Sequence, residues 1–394
     1  MLKKMKNNAI KVLYITHYSD LYGANLSMLQ LILDLRETYQ ISPIVLLPKK
    51  GDLTLKLKEN SIPYIICHFW VWMYNKNQRT IALACKESIK RILNLFQVIR
   101  LLYKIYAEDI DIIHSNSSVI NIGAYLHLLL GIPHVWHLRE FGEADYNLKY
   151  VYPKKIVSLF FNLGANKCIA ISDAIKEYYS RYIKMENIDK IYNGIKIVPV
   201  KRNAVEKQSE CLNFCVVGLL SPQKKQKIIL MAITELLKKY TDKDFHVSFI
   251  GGGVNGYLYD LEKYIKDNKL QSCVTFYGYR SDINELLSEM DVGIIASVQE
   301  AFGRVTVEYM LNYMPVIASN SGANPEIVDD GVTGILFENA NCDSLVRSMA
   351  YMIENRDDVI KMGNKARDKA CNNFSSMGNA LKIYLLYSTI KNEN

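Results

Sequence analysis

The sequence predicts an α/β protein built from two doubly wound parallel-sheet domains that face a cleft. The chain has 394 residues, which suits two domains of ~100–200 residues each. Short apolar runs alternate with longer amphipathic stretches along the whole chain, as they do where βαβ crossovers build a parallel sheet. Around residues 192–203 this alternation weakens, and we interpret residues 196–207 as a linker between the domains.

The first half of the chain alternates strand patterns with helix patterns. Short apolar runs predict strands, and apolar residues spaced three and four apart predict helices. The predicted strands are residues 11–16, 44–47, 64–67, 110–114, 134–137 and 167–170, and the predicted helices are residues 25–35, 53–60, 85–106, 119–130, 157–163 and 173–179.

A second series begins after the linker. Its predicted strands are residues 214–217, 246–250, 274–277, 292–296, 316–319 and 334–337, and its predicted helices are residues 228–240, 257–268, 283–289, 305–313, 342–355 and 359–390, the last broken near 372–376. We therefore divide the chain into domains 1–198 and 199–374 and a C-terminal helix, 375–394, that we expect to pack back on the first domain.

Charge is distributed unevenly along the chain. The formal net charge is +8, but residues 1–197 hold 26 Lys and Arg against 16 Asp and Glu, whereas residues 198–394 hold 22 against 24. Two interpretations of the basic first half stay open. It is either an ordinary solvated surface or a site for an anionic partner, such as a membrane surface, a phosphorylated acceptor or nucleic acid.

Cysteine usage and hydropathy exclude several classes of protein. The eight cysteines are scattered and form no CxxC pair, so we expect reduced thiols and neither a disulfide framework nor a zinc site. The basic residues 1–8 precede a short strand-like run interrupted by Lys11, which is not a signal-peptide pattern. No stretch of ~18 uncharged apolar residues occurs, so we expect no transmembrane helix and a cytoplasmic location.

The most specific motif is Glu300-Ala-Phe-Gly-Arg-Val-Thr-Val-Glu308, between a predicted strand and a predicted helix. A glycine in such a turn lets the backbone approach a ligand closely. The N-terminus of the following helix favours a diphosphate, and the two carboxylates can accept hydrogen bonds from sugar and ribose hydroxyls. Two glutamates at this spacing are common by chance, so the surrounding segments decide the interpretation.

Those segments resemble glycosyltransferase family 4, whose members are retaining enzymes with the GT-B fold of two Rossmann-like domains. The run from Asp291 to Phe337 resembles the family's donor-site signature, and the likeness extends over nearly the whole chain. The other segments that carry it are Gly23-Ala24-Asn25, Asp111-Ile-Ile-His-Ser-Asn-Ser-Ser118, Gly131-Ile-Pro-His-Val-Trp-His137-Leu-Arg-Glu140, Ile171-Ser172, Tyr192-Asn193-Gly194 and Gly218-Leu-Leu-Ser-Pro-Gln-Lys224.

The resemblance implies roles for individual residues. Glu308 would hold the nucleotide ribose, Glu300 would hold the donor sugar and diphosphate, and Lys224 would neutralise the charge that develops on the leaving diphosphate. The implied catalytic residues are His137, Lys224 and Glu300, and the implied donor-binding residues are Gly23, Gly218, Ser221, Phe302, Gly303, Arg304, Val305 and Glu308.

Two of these residues lie in the first half of the chain. His137 would reach the donor sugar or the β-phosphate from the opposite wall of the cleft, although a histidine at a strand end is more often a structural residue. Gly23 would let the first loop approach the phosphates, but an ordinary strand-to-helix turn explains this glycine nearly as well.

The sequence departs from the family pattern at two positions. Leu219 stands where many members carry arginine, so one cationic phosphate contact is missing or comes from Lys225 or elsewhere. Ala24 stands where a second glycine is common, and because alanine tolerates positive φ less well, we expect a differently shaped loop.

Metal binding is the alternative for two further patterns. Asp109-Ile-Asp111 could ligate Mn²⁺ or Mg²⁺ as in GT-A transferases, but Asp111 leads into a predicted strand and its neighbours match family 4. His134 and His137 lie three apart on one predicted strand, hence on opposite faces, so they do not share a metal. The resemblance implies neither metal nor cofactor, since the nucleotide-sugar is a substrate.

Residues 86–106 form a candidate basic amphipathic helix. One face holds apolar residues, namely Ile89, Ile92, Leu93, Phe96, Ile99, Tyr103 and Tyr106. We favour a crossover helix packed on the sheet, and the alternative is an interfacial helix at an anionic membrane. The aromatic residues of Phe69-Trp-Val-Trp72 are of a kind found at membrane interfaces.

We therefore expect a retaining glycosyltransferase that moves a sugar from a nucleotide-diphosphate-sugar to a lipid-linked or polysaccharide acceptor of cell-surface glycan synthesis. The acceptor would bind the first domain, at the inner face of the plasma membrane, and no nucleic acid is expected. The alternatives are an inactive GT-B partner protein of a glycan assembly complex, for which Leu219 is the argument, and a GT-B phosphorylase or nucleotide-sugar epimerase.

Overall fold

The structure is a computed structural model that describes residues 9–76, 81–143, 148–199, 211–280 and 282–393, with only the backbone at 81–85, 88 and 255. The chain divides into two compact units. The first comprises Met1–Lys196 and Ser376–Asn394, and the second comprises Ile197–Ser375. Each unit has its own sheet and its own apolar core. The part of the predicted linker at 200–207 lies outside the described residues.

The first unit is built on a parallel sheet. Its described strands are β1 (Lys11–Ile15), β2 (Ser42–Leu47), β3 (Tyr64–Ile66), β4 (Met73–Asn75), β5 (Ile112–Ser115), β6 (His134–Leu138), β7 (Leu148–Tyr150), β8 (Lys167–Ala170) and β9 (Ile188–Lys190). Seven of these strands pair in the order β3-β2-β1-β5-β6-β8-β9, and β4 pairs separately with β7 in antiparallel fashion.

Helices cover this sheet, as parallel strands require. They are α1 (Gly23–Tyr39), α2 (Asp52–Glu59), α3 (Ile81–Ala107), α4 (Ile122–Leu130), α5 (Lys154–Leu163) and α6 (Asp173–Ser180). Val12, Val45 and Ile112 from the strands are buried together with Met28 and Ile32 of α1. The continuous apolar strand runs seen in the sequence are thus buried under helices.

The second unit repeats the plan. Its described strands are β10 (Leu212–Val217), β11 (Phe245–Ile250), β12 (Val274–Gly278), β13 (Val292–Ile295), β14 (Val316–Ser319) and β15 (Gly334–Phe337), all parallel in the order β12-β11-β10-β13-β14-β15. Its helices are α7 (Gln226–Leu236), α8 (Asn255–Asp267), α9 (Ile283–Ser288), α10 (Arg304–Leu311), α11 (Asn324–Ile327), α12 (Cys342–Glu354) and α13 (Arg356–Asn373).

The last helix, α14 (Ser376–Glu393), belongs to the first unit. Its Tyr384 ring stacks on Tyr39 of α1 with centroids 4.5 Å apart. Ile383 and Tyr387 are fully buried in the first core, and Lys391 forms a 2.8 Å ion pair with Asp111. The C-terminal end of the chain is therefore an integral part of the first unit.

Both sheets reverse their winding at the first strand. The chain builds outward from β1 through β2 to β3 and then returns to place β5 on the other side of β1. It does the same around β10, with β11 on one side and β13 on the other. In such sheets a crevice opens at the carboxyl ends of the two strands where the order reverses. The fold thus favours ligand sites beyond β1–β5 and beyond β10–β13.

The predicted elements agree with this architecture. Every strand predicted from the sequence is confirmed, with ends that shift by at most two residues, and the helical break near 372–376 separates α13 from α14. The sequence did not predict β4, β7, β9 or α11. These elements are only three or four residues long, which is too short for a recognisable period.

The side of the α3 helix that packs on the protein is not the apolar face indicated by its sequence pattern. The residues that face the core are Glu87, Asn94, Val98, Leu101 and Ile105, whereas Ile89, Ile92, Leu93, Phe96, Ile99, Tyr103 and Tyr106 are all exposed. Asn94 is buried because its amide exchanges two 2.8 Å hydrogen bonds with the backbone of Trp70. The apolar face of α3 therefore does not pack on the sheet. No helix in the described part of the chain is both long and apolar enough to span a membrane.

Two of the three aromatic residues in the segment before α3 are buried in the first unit. Phe69 and Trp72 are buried, and the Trp72 indole N–H donates to the Ser118 carbonyl at 2.7 Å. The Trp72 ring lies 5.6 Å from the Trp136 ring. The alternative in which the aromatics at 69–72 face a membrane is therefore wrong for Phe69 and Trp72, because both side chains are buried.

Candidate functional site

The predicted site residues divide between the two units. Gly23 and His137 belong to the first unit and the others to the second. In the second unit a single cavity lies beyond β10 and β13, at the reversal of strand order. Six predicted residues line it, namely Gly218, Lys224, Glu300, Gly303, Arg304 and Val305. The topology and the sequence motifs therefore indicate the same place.

Lys224 and Glu300 form the central contact of this cavity. The Lys224 Nζ atom donates to Glu300 Oε1 at 2.5 Å. The lysine side chain is 41% exposed and the glutamate 14%. The two residues lie 76 positions apart, on the loops that follow β10 and β13. The pair holds a cation at the mouth of the cavity.

Gln226 fixes the loop that carries Lys224. Its fully buried amide donates to the Leu219 carbonyl at 3.0 Å and accepts from the Ser221 N–H at 3.3 Å. The Ser221 carbonyl in turn accepts from the Lys224 N–H at 3.0 Å. Sequence analysis did not identify Gln226, because a buried glutamine at the start of a helix has no distinguishing pattern.

The turn before α10 depends on Gly303. This residue has φ +78°, and a Cβ there would lie 2.8 Å from Thr306 Oγ1, so glycine is favoured. The Phe302 ring packs on Phe374, with centroids 5.8 Å apart, and belongs to the core. Only its backbone is available to a ligand. The N-terminus of α10 thus lies where Arg304 and Val305 line the cavity.

A neighbouring loop supports the backbone of Glu300. The Ala323 N–H donates to the Glu300 carbonyl at 2.8 Å. Gly322 has φ +56°, and a Cβ there would lie 2.4 Å from the same carbonyl oxygen. The glycine of the Gly322-Ala-Asn-Pro-Glu326 motif is thus required for this close approach.

Glu308 is paired with Arg304 one turn earlier on α10. Arg304 Nε donates to Glu308 Oε1 at 2.8 Å. Burial raises the pKa of the Glu308 carboxyl, and the Arg304 charge opposes this shift. Arg304, which lines the cavity, therefore helps to keep Glu308 ionised.

Gly218 and Leu219 begin the loop after β10. Gly218 has φ +139°, and a Cβ there would meet no atom within 4 Å, so open space adjoins this backbone. The Leu219 side chain is 55% exposed. Arg304 lines the same cavity as Lys224. It therefore supplies a second cation there, although Leu219 replaces the arginine that many family members carry.

Gly23 opens α1 and is exposed. It has no positive φ, and a Cβ there would meet no atom within 4 Å. Ala24 lies inside the helix and also has no positive φ, so the expected conformational conflict at Ala24 does not arise. The protein's own packing does not require glycine at position 23.

His137 and His134 lie on β6 with different surroundings. His134 is satisfied on both nitrogens, by the Ser115 hydroxyl at 2.8 Å and by the Gly164 carbonyl. His137 Nδ1 lies 3.1 Å from His114 Nε2 and 3.3 Å from Arg139 Nη2. Its buried Nε2 has no hydrogen-bond partner among the described residues. His134 is structural, whereas His137 retains an unused polar atom.

Two charged residues after β6 were not identified from the sequence as functional. Arg139 is buried and donates to the side-chain oxygens of Asn116 and Asn193, each at 2.5 Å. Glu140 accepts from the Ser117 hydroxyl at 2.8 Å and from the Ser118 N–H at 2.7 Å. Burial raises the pKa of Glu140, and these hydrogen bonds oppose the shift. Polar groups thus converge at the carboxyl ends of β5 and β6.

The alternative metal sites have other roles. Asp111 accepts the Lys11 backbone N–H at 2.8 Å in addition to its ion pair with Lys391. Within the described ranges no group of three or more His, Cys, Asp or Glu side chains is placed to hold a metal ion. Cys67, Cys168, Cys211, Cys215, Cys273, Cys342 and Cys371 are free thiols, and the Cys85 side chain lies outside the described residues.

Comparison with known proteins decides the family. The family model described as Glycosyltransferase Family 4 matches residues 63–197, and the model described as Glycosyl transferases group 1 matches residues 198–369. An uncharacterized glycosyltransferase of Methanocaldococcus jannaschii is 30% identical over 258 residues, which are 64% of this chain and 68% of that protein. This chain belongs to glycosyltransferase family 4.

Further relatives agree with the family and the fold. A UDP-Gal:alpha-D-GlcNAc-diphosphoundecaprenol alpha-1,3-galactosyltransferase of Escherichia coli is 27% identical over 326 residues, which are 76% of this chain and 80% of that protein. The structure of HepE of Anabaena in complex with UDP superposes with a TM-score of 0.78 at 22% identity, covering 96% of this chain and 100% of that one. The glycosyltransferase thus has the predicted GT-B fold of two Rossmann-like units.

We predict that Gln226→Ala destabilises the loop after β10. The change leaves the Leu219 carbonyl and the Ser221 N–H without their buried partner, which costs about 1–3 kcal/mol per unsatisfied group. Urea unfolding should therefore show a lower midpoint. Gln223→Ala is the control, because Gln223 is an exposed residue of the same loop. Equal midpoints for both variants would contradict this role of Gln226.

Proposed function

We propose that the enzyme transfers a sugar from a nucleoside diphosphate-sugar to a lipid-diphosphate-linked acceptor, with retention of anomeric configuration and without a metal ion. The observation that carries this proposal is the 2.5 Å Lys224–Glu300 pair at the β10–β13 crevice. The bound UDP of HepE supports a nucleotide in this fold. The diphosphoundecaprenol acceptor named for the E. coli relative supports the lipid diphosphate.

In this proposal the diphosphate binds between Lys224 and the first turn of α10. The helix N-terminus presents N–H groups and the positive end of its dipole. As the bond between the sugar C1 and the β-phosphate oxygen breaks, negative charge grows on that oxygen, and Lys224 stabilises it. Glu300 orients the lysine before the donor arrives and accepts a hydrogen bond from a sugar hydroxyl afterwards. Glu308 accepts hydrogen bonds from the ribose.

The acceptor hydroxyl attacks C1 from the face that the diphosphate leaves. Its oxygen forms the new bond to C1 as the old C1–O bond breaks, and its proton passes to the departing phosphate oxygen. Retention follows because both bonds lie on the same face of the sugar. The step needs no protein base, and it makes the cationic surroundings of the phosphate the main source of rate acceleration.

The exposed face of α3 is the surface we propose for membrane contact. Phe96, Ile99 and Tyr103 are exposed on it, and the basic residues Arg100 and Lys104 are exposed beside them. Apolar side chains can enter the acyl boundary while lysine and arginine pair with anionic headgroups. A lipid-linked acceptor would be reached from this surface. The occupant we propose is therefore an anionic bilayer at the cytoplasmic face of the membrane.

We predict that Lys224→Ala lowers kcat about 10²–10³-fold. This is the effect of removing one preorganised contact to the transition state. The assay measures nucleotide release from UDP-, GDP- and ADP-sugars, with the donor chosen by thermal stabilisation of the wild type. Lys227→Ala is the control, because Lys227 is an exposed lysine three residues away. Equal activity of the two variants would contradict the role of Lys224, and loss of wild-type activity in EDTA would contradict the metal-free mechanism.

For the membrane surface we predict that the enzyme floats with liposomes that contain anionic lipid and not with neutral ones. Phe96→Glu should weaken this binding about tenfold or more, because a fully buried Phe contributes about 1.5–3 kcal/mol. Leu385→Glu on α14 is the control, since Leu385 is about as exposed as Phe96. Equal, negligible flotation with both lipid mixtures would show that the membrane proposal is wrong.

A further inference from the structure

A chain of buried side chains in the first unit ends at His137. The Tyr387 hydroxyl of α14 lies 2.6 Å from His114 Nδ1, and His114 Nε2 lies 3.1 Å from His137 Nδ1. Tyr387, His114 and His137 are fully buried. The Tyr387 hydroxyl also lies 3.3 Å from the Tyr14 oxygen, so its single proton is donated either to Tyr14 or to His114. The chain joins the last helix of the protein to a predicted catalytic residue.

Hydrogen bonds in such a chain can run in two directions. In one, Tyr387 donates to His114 Nδ1, and His114 Nε2–H donates to His137 Nδ1. In the other, His137 Nδ1–H donates to His114 Nε2, and His114 Nδ1–H donates to the Tyr387 oxygen. The two directions place the remaining His137 proton differently, because a neutral imidazole carries one N–H and one acceptor nitrogen.

Arg139 selects the first direction. Its Nη2 lies 3.3 Å from His137 Nδ1, and a guanidinium has donors only and does not deprotonate in proteins. A proton on His137 Nδ1 would face that donor, so His137 Nδ1 must accept. His114 Nε2 then carries a proton, and His114 Nδ1 accepts from Tyr387.

The proton of His137 consequently resides on Nε2. This is the buried atom without a hydrogen-bond partner among the described residues. Burial, and after it the charge of Arg139, hold the pKa values of His137 and His114 well below the usual range. Both rings are therefore neutral at physiological pH.

We propose that Tyr387, His114 and Arg139 are positioning residues that hold His137 as a neutral Nε2–H donor to an oxygen of the substrate. The identity of this substrate rests on the proposed function, whereas the position of the proton does not. A donor of this kind does not act as the base for the acceptor hydroxyl. Taking up that proton would create a second buried cation 3.3 Å from Arg139.

The proton position can be measured without substrate. Enzyme labelled with ¹⁵N-histidine gives separate NMR signals for protonated and unprotonated ring nitrogens, and single His substitutions assign them. At neutral pH we expect both His137 and His114 to be protonated on Nε2 and unprotonated on Nδ1. A proton on His137 Nδ1, or a cationic His137, would overturn the proposal. Since no substrate is present, neither result depends on the proposed function.

The positioning role is tested with Tyr387→Phe, which keeps the ring and removes the donor to His114. We expect kcat to fall about two- to tenfold, as for one net hydrogen bond, and the His114 Nδ1 signal to shift. Tyr384→Phe, one turn away on α14, should change neither. A lower melting temperature with unchanged kcat and ¹⁵N signals would show a merely structural role and overturn the proposal.

Two further variants at position 114 distinguish the loss of the hydrogen-bond donor of His114 from the loss of its packing. His114→Gln retains an amide N–H close to the position of Nε2, and His114→Leu removes the donor. We expect the His114→Gln variant to retain most of the activity that the His114→Leu variant loses. Equal losses of activity in the two variants would contradict the proposal. If wild-type enzyme transfers no sugar from any nucleotide-sugar while the NMR result holds, the proposed function fails and the assigned proton position stands.

Discussion

In each unit the chain returns to its first strand and winds outward from the other side, and the location of the site follows from this reversal. A parallel sheet sends the connections of neighbouring strands to the same edge. At the reversal the two loops diverge and leave a crevice between them. In the second unit these loops follow β10 and β13 and carry Lys224 and Glu300. Residues 76 positions apart are thereby brought within 2.5 Å.

The Lys224–Glu300 pair contributes little to the stability of the fold. Because the Lys224 side chain is 41% exposed, solvent screens its attraction to Glu300, and such pairs contribute about 0–1 kcal/mol to folding. The loops are instead held by buried contacts. Gln226 fixes one loop, and the approach of Gly322 fixes the other. A cation held in advance by a rigid support costs little reorganisation when charge develops.

The two units use their polar groups differently. The second presents charge at an open cavity. The first buries the Arg139 cation and the neutral rings of His114 and His137 in its own interior. Arg139 donates to the side-chain oxygens of Asn116 and Asn193. His137 Nδ1 lies beside both Arg139 and His114, so buried contacts hold the two side chains in place. Two hydrogen bonds, one between Tyr387 and His114 and one between His114 and His137, thus connect α14 to His137.

The sequence predicted the elements that are long enough to show a helical or strand period. The family resemblance indicated the site residues that lie within its motifs. Neither indicated Gln226, whose contacts lie within one loop and follow no recognisable pattern. Neither indicated a role for His114 or Tyr387, because their contact joins distant segments. His114 and Tyr387 are 273 positions apart. The packing side of α3 was also not predictable. The helical period shows that two faces differ, but only the backbone partner of Asn94 explains why a polar face is buried.

The central claim is that the donor diphosphate binds at the β10–β13 crevice. A crystal structure with the nucleoside diphosphate that stabilises the enzyme most would test it directly. The account predicts phosphate oxygens within hydrogen-bond distance of Lys224 Nζ and of the N–H groups that open α10. A diphosphate bound elsewhere, with the Lys224–Glu300 pair left as it is, would contradict it.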